Sequence, residues 1–456
     1  MQLDPTATTP LVTQIVQGLA AEIAAGSRAA GARLPSIRQF AQAHGVSVFT
    51  VVEAYDRLVA QGLLQARPQA GFFVRARAAQ PSEPPPQGFD AQWYLHKIFE
   101  HRHLAIKPGC GWLPPEWLYE DGLRRALRAL AAEPAPGSGY GDPKGHPPLR
   151  ARLAEELGCT PAQVLLTQGS SQGLDVAVRR LVRPGDAVLV DDPGYANLLL
   201  ALRLQGAVLL GVPRTAEGWD LDVLAGHLSA HRPRVFFTQP RLPSPTGASA
   251  TLAQRQRLLQ LAEAHDLTLV ENDIYVDLDP APLPSLGELD GLARVVRLGS
   301  YSKTVSPGVR VGWLAAPADL ADDFARLKML AGLTSAELGE RLVLSVLQSG
   351  GWQRHLKALR QRLAQAHERV AAALAARGFT LFAQPGGGMF LWARHAALPD
   401  ALPLSNAAAR EGIMLGPGHL FTPDLRTSPW LRFNVAWCED ERLWRFVDDA
   451  LNRPRA

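Results

Sequence analysis

Seven short apolar runs, separated by helix-length stretches, constrain this 456-residue chain more than any other feature. They are VLLTQ (164–168), AVLVD (187–191), AVLLG (207–211), RVFFTQ (234–239), LTLVEND (267–273), RVVRLGS (294–300) and RVGWLAA (310–316). Runs of this kind suit strands buried on both faces, and the intervening stretches, such as 149–157 and 252–265, have the length of helical crossovers. Together they predict an α/β domain built on a mostly parallel seven-stranded sheet with helices on both faces. A helical region over 318–377 and a mixed tail over 379–450, with the runs FTLFA, GMFLWA and LRFNVAW, predict a smaller α+β subdomain. That subdomain is expected mainly from 330–456, with the segment 90–135 added to it.

The first 80 residues read differently. Leu11, Ile15, Leu19 and Ile23 share one face of a helix that Gly26 ends, and Gly31 marks the turn after it. Ser36 and Gln39 have the spacing of a capping box, which starts a short second helix. Gly45 provides a turn, Ser47 caps a third helix running to about Gln61, and Gly62 stops it. Two short helices around a glycine turn predict a helix-turn-helix, and LLQARPQAGFFV adds two short strands as a wing, turning near 68–71. This part carries seven arginines, no lysine and four acids, whereas the rest of the chain is close to neutral. A small basic head on a neutral body is compatible with DNA binding. Polar, proline-rich residues (RARAAQPSEPPPQG, 75–88) read as a semi-rigid spacer, giving domains at 1–76 and 90–456 with a linker at 77–89.

Several classes are disfavoured. Cys110, Cys159 and Cys438 form neither a disulfide framework nor a zinc spacing, so no metal is expected. No apolar run approaches the roughly 18 residues of a membrane span, and the N-terminus lacks the basic-then-apolar pattern of a secretory signal. The expectation is a cytoplasmic protein, and the Ala-, Leu-, Arg- and Pro-rich composition points to a bacterial source.

Residues 11–75 resemble a GntR-type winged helix-turn-helix. The resemblance rests on LVTQIVQGLAAEI, on the ordered phrase from Leu34 to Gly62, and on the closing AGFFV. It implies a double-stranded DNA operator, with the helix after Ser47 entering the major groove by its N-terminal end. Ser36, Arg38, Ser47, Val48, Thr50 and Arg67 are the expected DNA-facing residues. Val48 and Phe49 stand where arginine or another polar residue is usual in such heads. They would contact thymine methyl groups or another part of the protein.

Residues 90–452 resemble a fold-type I aminotransferase, of the kind fused to GntR heads in MocR/GabR-type regulators. The implied cofactor is pyridoxal 5'-phosphate. In GSYSKTVSPGVRVGW, Lys303 matches the lysine that forms the Schiff base, with Ser300, Ser302 and Arg310 as a phosphate-binding set. Asp273 is expected to meet the pyridine nitrogen, with Glu271 as the alternative acid two residues back. Tyr275, placed on Asp273's side by strand periodicity, is expected at the ring hydroxyl. Ser170, Ser171 and Gln172 open a helix after the strand VLLT and would cup phosphate with their N–H groups. Tyr195 corresponds to the ring-stacking aromatic residue, and Arg432 to the arginine that clamps a carboxylate bidentately. Ser244 replaces the family's asparagine in Ser244-Pro245-Thr246-Gly247, a departure that weakens the catalytic reading more than the binding one. Tyr140 corresponds to a tyrosine that reaches the partner subunit's cofactor phosphate, which implies a homodimer, head-to-tail, with shared sites.

The resemblance leaves two functions open. One is a transcriptional regulator whose body senses the cofactor or a small amine or amino acid. The other is an active aminotransferase with an autoregulatory head. A purely structural body fits poorly with so full a set of cofactor-binding features.

Overall fold

The computed structural model describes residues 3–4, 9–24, 28, 31–61, 63–67, 71–74, 104–133 and 139–452. The chain separates into two units, Met1–Gly88 and Phe89–Ala456. The expected linker, Gly26, Gly62 and the wing turn at 68–70 lie outside the described residues.

In the first unit, helices α1 (Leu11–Ala24), α2 (Ile37–His44) and α3 (Val48–Ala60) precede an antiparallel hairpin of β1 (Leu64–Arg67) and β2 (Gly71–Val74). Helix α2 begins where Ser36 accepts from the Gln39 N–H and the Gln39 side chain returns to the Ser36 N–H. It ends on Gly45 at φ 65°, a left-handed conformation that costs glycine little. Ile15, Leu19, Phe40, Val51 and Leu58 form the core around Tyr55. The Tyr55 hydroxyl donates to the Pro35 carbonyl at 3.1 Å, and its ring meets Phe40 and Phe72 edge-on. Arg33 forms an isolated antiparallel bridge with Phe73, an addition to the wing that the sequence did not signal.

All seven apolar runs of the second unit become strands of one sheet. They are β3 (Val164–Thr167), β4 (Ala187–Asp192), β5 (Val208–Pro213), β6 (Val235–Thr238), β7 (Thr268–Asn272), β8 (Val295–Ser300) and β9 (Gly312–Ala315). Their order is β3-β9-β8-β7-β6-β4-β5. Strand β9 runs antiparallel to both neighbours, and the other pairings are parallel. Because side chains alternate along a strand, the two faces bury different sets. Val190, Phe237, Val270 and Leu298 pack on one face with the helices Ser170–Leu181, Ala196–Leu204 and Ala318–Gly332. Leu189, Phe236, Leu269 and Val295 pack on the other with Trp219 and the helices Leu221–His231 and Leu252–Ala264.

A second, antiparallel sheet has the order β10-β11-β13-β12, from Phe379–Leu381, Phe390–His395, Gly416–Pro417 and Trp430–Asn434 as β10 to β13 in chain order. It packs on the helix Trp352–Ala375 through Leu359, Leu363 and Val370. The expected helical region over 318–377 is three helices, and the middle one, Glu337–Gln348, buries Val343 and Val346 with Leu149 and Leu153 of the large domain. The small subdomain core therefore takes up the helix Trp352–Ala375 only from Leu359, later than the sequence reading placed it, because Trp352 and Leu356 still join the large core. The segment after residue 104 also divides: Ile106, Leu113 and Trp117 join the small core, whereas Ala126 joins the large one.

Candidate functional site

Lys303 follows β8 and is half-buried. Its Nζ donates to the Gly111 carbonyl at 2.6 Å. Burial pushes its pKa down to about 8, and the nearby Arg432 and Arg310 guanidinium groups push the same way, against the opposing effect of Cys110. An amine held near neutrality is a better nucleophile towards a carbonyl carbon than an ordinary lysine.

Beside it lies a set of donors suited to phosphate. The helix Ser170–Leu181 starts after Gly169 (φ 75°), where a Cβ would lie 2.5 Å from the Arg310 guanidinium. Arg310 donates to the Gln168 carbonyl at 2.9 Å and to Ser302 Oγ at 3.3 Å, and the Ser302 N–H donates to Ser300 Oγ at 3.2 Å. The first N–H groups of a helix have no intrahelical acceptor, and Ser170 and Ser171 supply them at the helix start after Gly169. Gln172 differs from expectation. Its N–H bonds the Gly169 carbonyl, and its side chain accepts from the Gln168 N–H, so it braces the turn.

Tyr195, Asn272, Thr238, Gln239, Phe237 and Leu198 line one cavity at the C-terminal end of the parallel strands. Asn272 is 3% exposed, and neither its Oδ1 nor its Nδ2 has a hydrogen-bond partner. Sequence reasoning missed it, having looked for an acid. Asp273, the residue expected there, points away. Its Oδ1 accepts from Arg241 Nε at 2.8 Å, and its Oδ2 accepts from Arg297 Nη2 and Nε at 2.8 and 3.1 Å. Arg241 continues to Asp279, and Arg297 to Glu288. Glu271, the alternative acid, is also committed: its two oxygens accept the N–H groups of Leu286 and Gly287, both at 3.0 Å, at the start of a short helix.

Tyr275 is buried near Tyr195 and Arg432, and its ring meets Phe390 edge-on. It is not placed by strand periodicity, because β7 ends at Asn272 and Tyr275 belongs to the turn that opens the short helix Val276–Leu278.

Arg432 comes from β13 of the small subdomain and is stacked on Phe390 and Phe421. It donates to Ser244 Oγ at 2.9 Å and to the Gly109 carbonyl at 2.5 Å, and its buried Nε has no partner. Ser244 thus serves as an acceptor that orients the arginine. Gly109 and Gly111 are further site residues that sequence reasoning missed, and they act through their carbonyl groups. A Cβ on Gly109 would lie 2.3 Å from the Leu415 backbone, so only glycine permits this approach. Asn434 fixes the loop by donating to the carbonyl groups of Cys110 and Trp112 at 3.2 and 2.8 Å. Tyr140 stays outside the cluster of its own chain, 83% exposed.

In the head, Arg38 is exposed on α2, and Val48 and Phe49 are 50% and 76% exposed at the start of α3. Ser47 Oγ accepts from the Thr50 N–H at 3.0 Å and lies 2.7 Å from Thr50 Oγ1, so both side chains serve the cap. Arg67 ends β1. Among the described residues no helix is long and apolar enough to cross a membrane, and no His, Cys, Asp and Glu side chains group to hold a metal ion.

Comparison with known proteins agrees with this two-part architecture. Residues 11–74 match the model of the bacterial regulatory proteins of the gntR family, and residues 118–449 match that of aminotransferase class I and II. The chain is 30% identical over 445 residues to the probable rhizopine catabolism regulatory protein MocR of Rhizobium meliloti, covering 91% of this chain and 88% of that one. It is 34% identical over 357 residues to the 2-aminoadipate transaminase of Thermus thermophilus, covering 75% of this chain and 90% of that enzyme. The crystal structure of LysN, the α-aminoadipate aminotransferase from Thermus thermophilus complexed with N-(5'-phosphopyridoxyl)-L-leucine, superimposes with a TM-score of 0.72 at 32% identity, over 78% of this chain and 95% of that one. The chain belongs to the MocR-type branch of the gntR family, DNA-binding regulators in which a winged helix-turn-helix head is fused to a fold-type I, aminotransferase-like domain.

Proposed function

We propose that this regulator holds pyridoxal 5'-phosphate at Lys303 and responds to the cofactor or to a small amine or amino acid by changing its affinity for a DNA operator. The observation that carries the proposal is the half-buried Lys303, its pKa lowered to about 8, between the phosphate donors around Arg310 and the carboxylate-type fork of Arg432. The residues fit the cofactor. Ser170, Ser171, Ser300, Ser302 and Arg310 would hold its phosphate, Tyr195 would cover one ring face, and Tyr275 and Ser244 would serve its ring hydroxyl. When bound, pyridoxal phosphate supplies a carbonyl carbon on which Lys303 and an incoming amine can exchange.

The chain's own groups define the rest. Arg432 would exchange its Gly109 carbonyl for a ligand carboxylate, gaining a charge-assisted bidentate pair. That exchange would loosen the 104–112 loop, where Gly111 also holds Lys303 Nζ. The loop joins the small subdomain through the Ile106–Ile413 bridge, so occupancy would bias the small subdomain's position. Tyr140, exposed in its own chain, would complete the phosphate site of the partner subunit in a head-to-tail homodimer. In the head, Ser36, Arg38, Thr50 and Arg67 would contact phosphate or base edges, and Val48 and Phe49 would meet thymine methyl groups. A bacterial cytoplasm is the compartment in which such a regulator would act.

The test is a footprint of operator DNA by the full chain, with and without pyridoxal phosphate and a panel of amines, joined to borohydride trapping at Lys303. A trapped adduct and a ligand-dependent footprint are expected. No adduct, or a footprint indifferent to every addition, would refute the proposal. The 34% identity to a transaminase supports a second reading, an active enzyme with an autoregulatory head. Keto-acid-dependent amino transfer by the purified chain is its test.

A further inference from the structure

We infer that the residue meeting the cofactor's pyridine nitrogen is the neutral amide of Asn272, not a carboxylate, so the ring nitrogen is held unprotonated. The inference rests on the reading that this site holds pyridoxal phosphate.

Three observations lead to it. Asn272 and Tyr195 line the same cavity. Both amide atoms of Asn272 are buried without a partner. An unpaired buried polar group destabilises the fold, so a ligand able to bond it is favoured there. The third observation is the parity of β7. Val270 packs on the sheet face that also carries the helix Ser170–Leu181, whose N-terminus lies in the phosphate set. Asn272, two residues on, keeps that face. Glu271 pairs in register with Arg297 and, like Asp273, is engaged by groups away from the cavity.

The consequence is electrostatic. A carboxylate beside a pyridine nitrogen stabilises the pyridinium form, and an amide supplies no compensating charge. Asp191 also lines the cavity, but Trp219, Thr238 and the Gln239 N–H already bond its carboxylate, so it offers the ring nitrogen no free charge. Asn272 Nδ2–H would therefore donate to a neutral ring nitrogen. A neutral ring withdraws electrons less strongly, so loss of a proton from the α-carbon of a bound amino compound is slowed. Exchange of amines at the carbonyl carbon forms no carbanion and needs that withdrawal far less. The substitution leaves a site that takes up and releases amines and is poorly equipped for turnover, which suits a sensor.

The test uses the full chain loaded with pyridoxal phosphate carrying 15N in the ring, with borohydride trapping run in parallel. The 15N resonance of the wild type is expected at the position of a neutral pyridine. Asn272→Asp is expected to move it upfield to the pyridinium position. Asn272→Gln, which keeps an amide, is expected to leave it neutral. A pyridinium resonance in the wild-type protein, with the Lys303 adduct trapped, would overturn this inference and leave the cofactor reading standing. Absence of both adduct and bound 15N signal would overturn the two together.

Discussion

Asp273→Asn separates a structural carboxylate from a cofactor ligand. The Asp273 side chain is fully buried and bonded by Arg241 and Arg297. Asparagine keeps its shape and removes its charge, which leaves two buried guanidinium groups under-compensated. Breaking a buried pair by removing one partner costs about 3–5 kcal/mol. Arg241 retains Asp279 and the Leu283 carbonyl, and Arg297 retains Glu288. These remaining partners place the expected loss at the low end, about 3 kcal/mol. The assay is urea unfolding followed by tryptophan fluorescence. All ten tryptophans lie between Trp93 and Trp444, so the signal reports the aminotransferase-like unit alone. A lower midpoint with an unchanged slope is expected, because the surface exposed on unfolding is the same. Pyridoxal phosphate affinity, measured where the variant is folded, should change little. A stability loss under about 1 kcal/mol, the range of a solvent-exposed pair, combined with collapsed cofactor affinity, would show that Asp273 acts on the ring and that its pairing has been misread.

Four further outcomes follow from the structure. Burial lowers the Lys303 pKa from the ordinary lysine value of 10.5 to about 8, so capture of added pyridoxal phosphate by the cofactor-free protein should rise with pH through about 8 and level off above it, as followed by the absorbance of the adduct. The linked stability has a definite sign. Between about pH 8 and 10.5 the unfolded chain binds the proton more readily than the folded one, so this lysine's contribution becomes more favourable as pH rises through that window and is least favourable below it; a cofactor-free stability profile without that upward component would contradict the lowered pKa. Arg38→Ala should weaken operator binding and reduce the slope of log affinity against log salt by about 0.9, the release expected for one phosphate contact; an unchanged slope in a titration from low to moderate salt would remove Arg38 from the interface. Gly109→Ala should displace the 104–112 loop from Leu415 and weaken carboxylate-bearing effectors far more than pyridoxal phosphate itself, because the Gly109 carbonyl orients Arg432 and lies outside the phosphate set; equal losses for both ligands would refute that division of labour.

The large sheet was legible because each of its strands is an uninterrupted apolar run, and burial on both faces demands that pattern wherever the strand lies. The capping residues of the head were legible because a cap is local: Ser36 with Gln39, and Ser47 with Thr50, act within one turn. The Lys303 segment carries its phosphate partners within seven residues and could be read as a unit. Gly109 and Gly111 left no such trace. They contribute carbonyl oxygens, which every residue has, to partners about two or three hundred positions away. Only the closeness of Gly109 to Leu415, a tertiary fact, explains why glycine stands there.

The stretch Glu271-Asn272-Asp273 shows the limit most clearly. It ends a strand with two acids on one parity and an amide on the other, and periodicity alone groups Glu271 with Asp273 without saying which parity faces the cavity. What decides is the company each parity keeps. Arg297 sits opposite Glu271 on β8, Arg241 reaches Asp273 from the loop after β6, and the N–H groups of Leu286 and Gly287 close over Glu271. Four donors from three separate segments thus commit the acidic parity to holding the protein together. The opposite parity carries Val270 into the apolar layer beneath the helix Ser170–Leu181 and leaves Asn272 at its rim, unpaired, beside Tyr195. Asp191 is an acid that lines the same cavity, so the fold does not forbid one there. The amide is therefore a property of this sequence rather than a demand of its architecture. That is why changing this single side chain is expected to alter the chemistry of the site while leaving its framework of arginines and carboxylates intact.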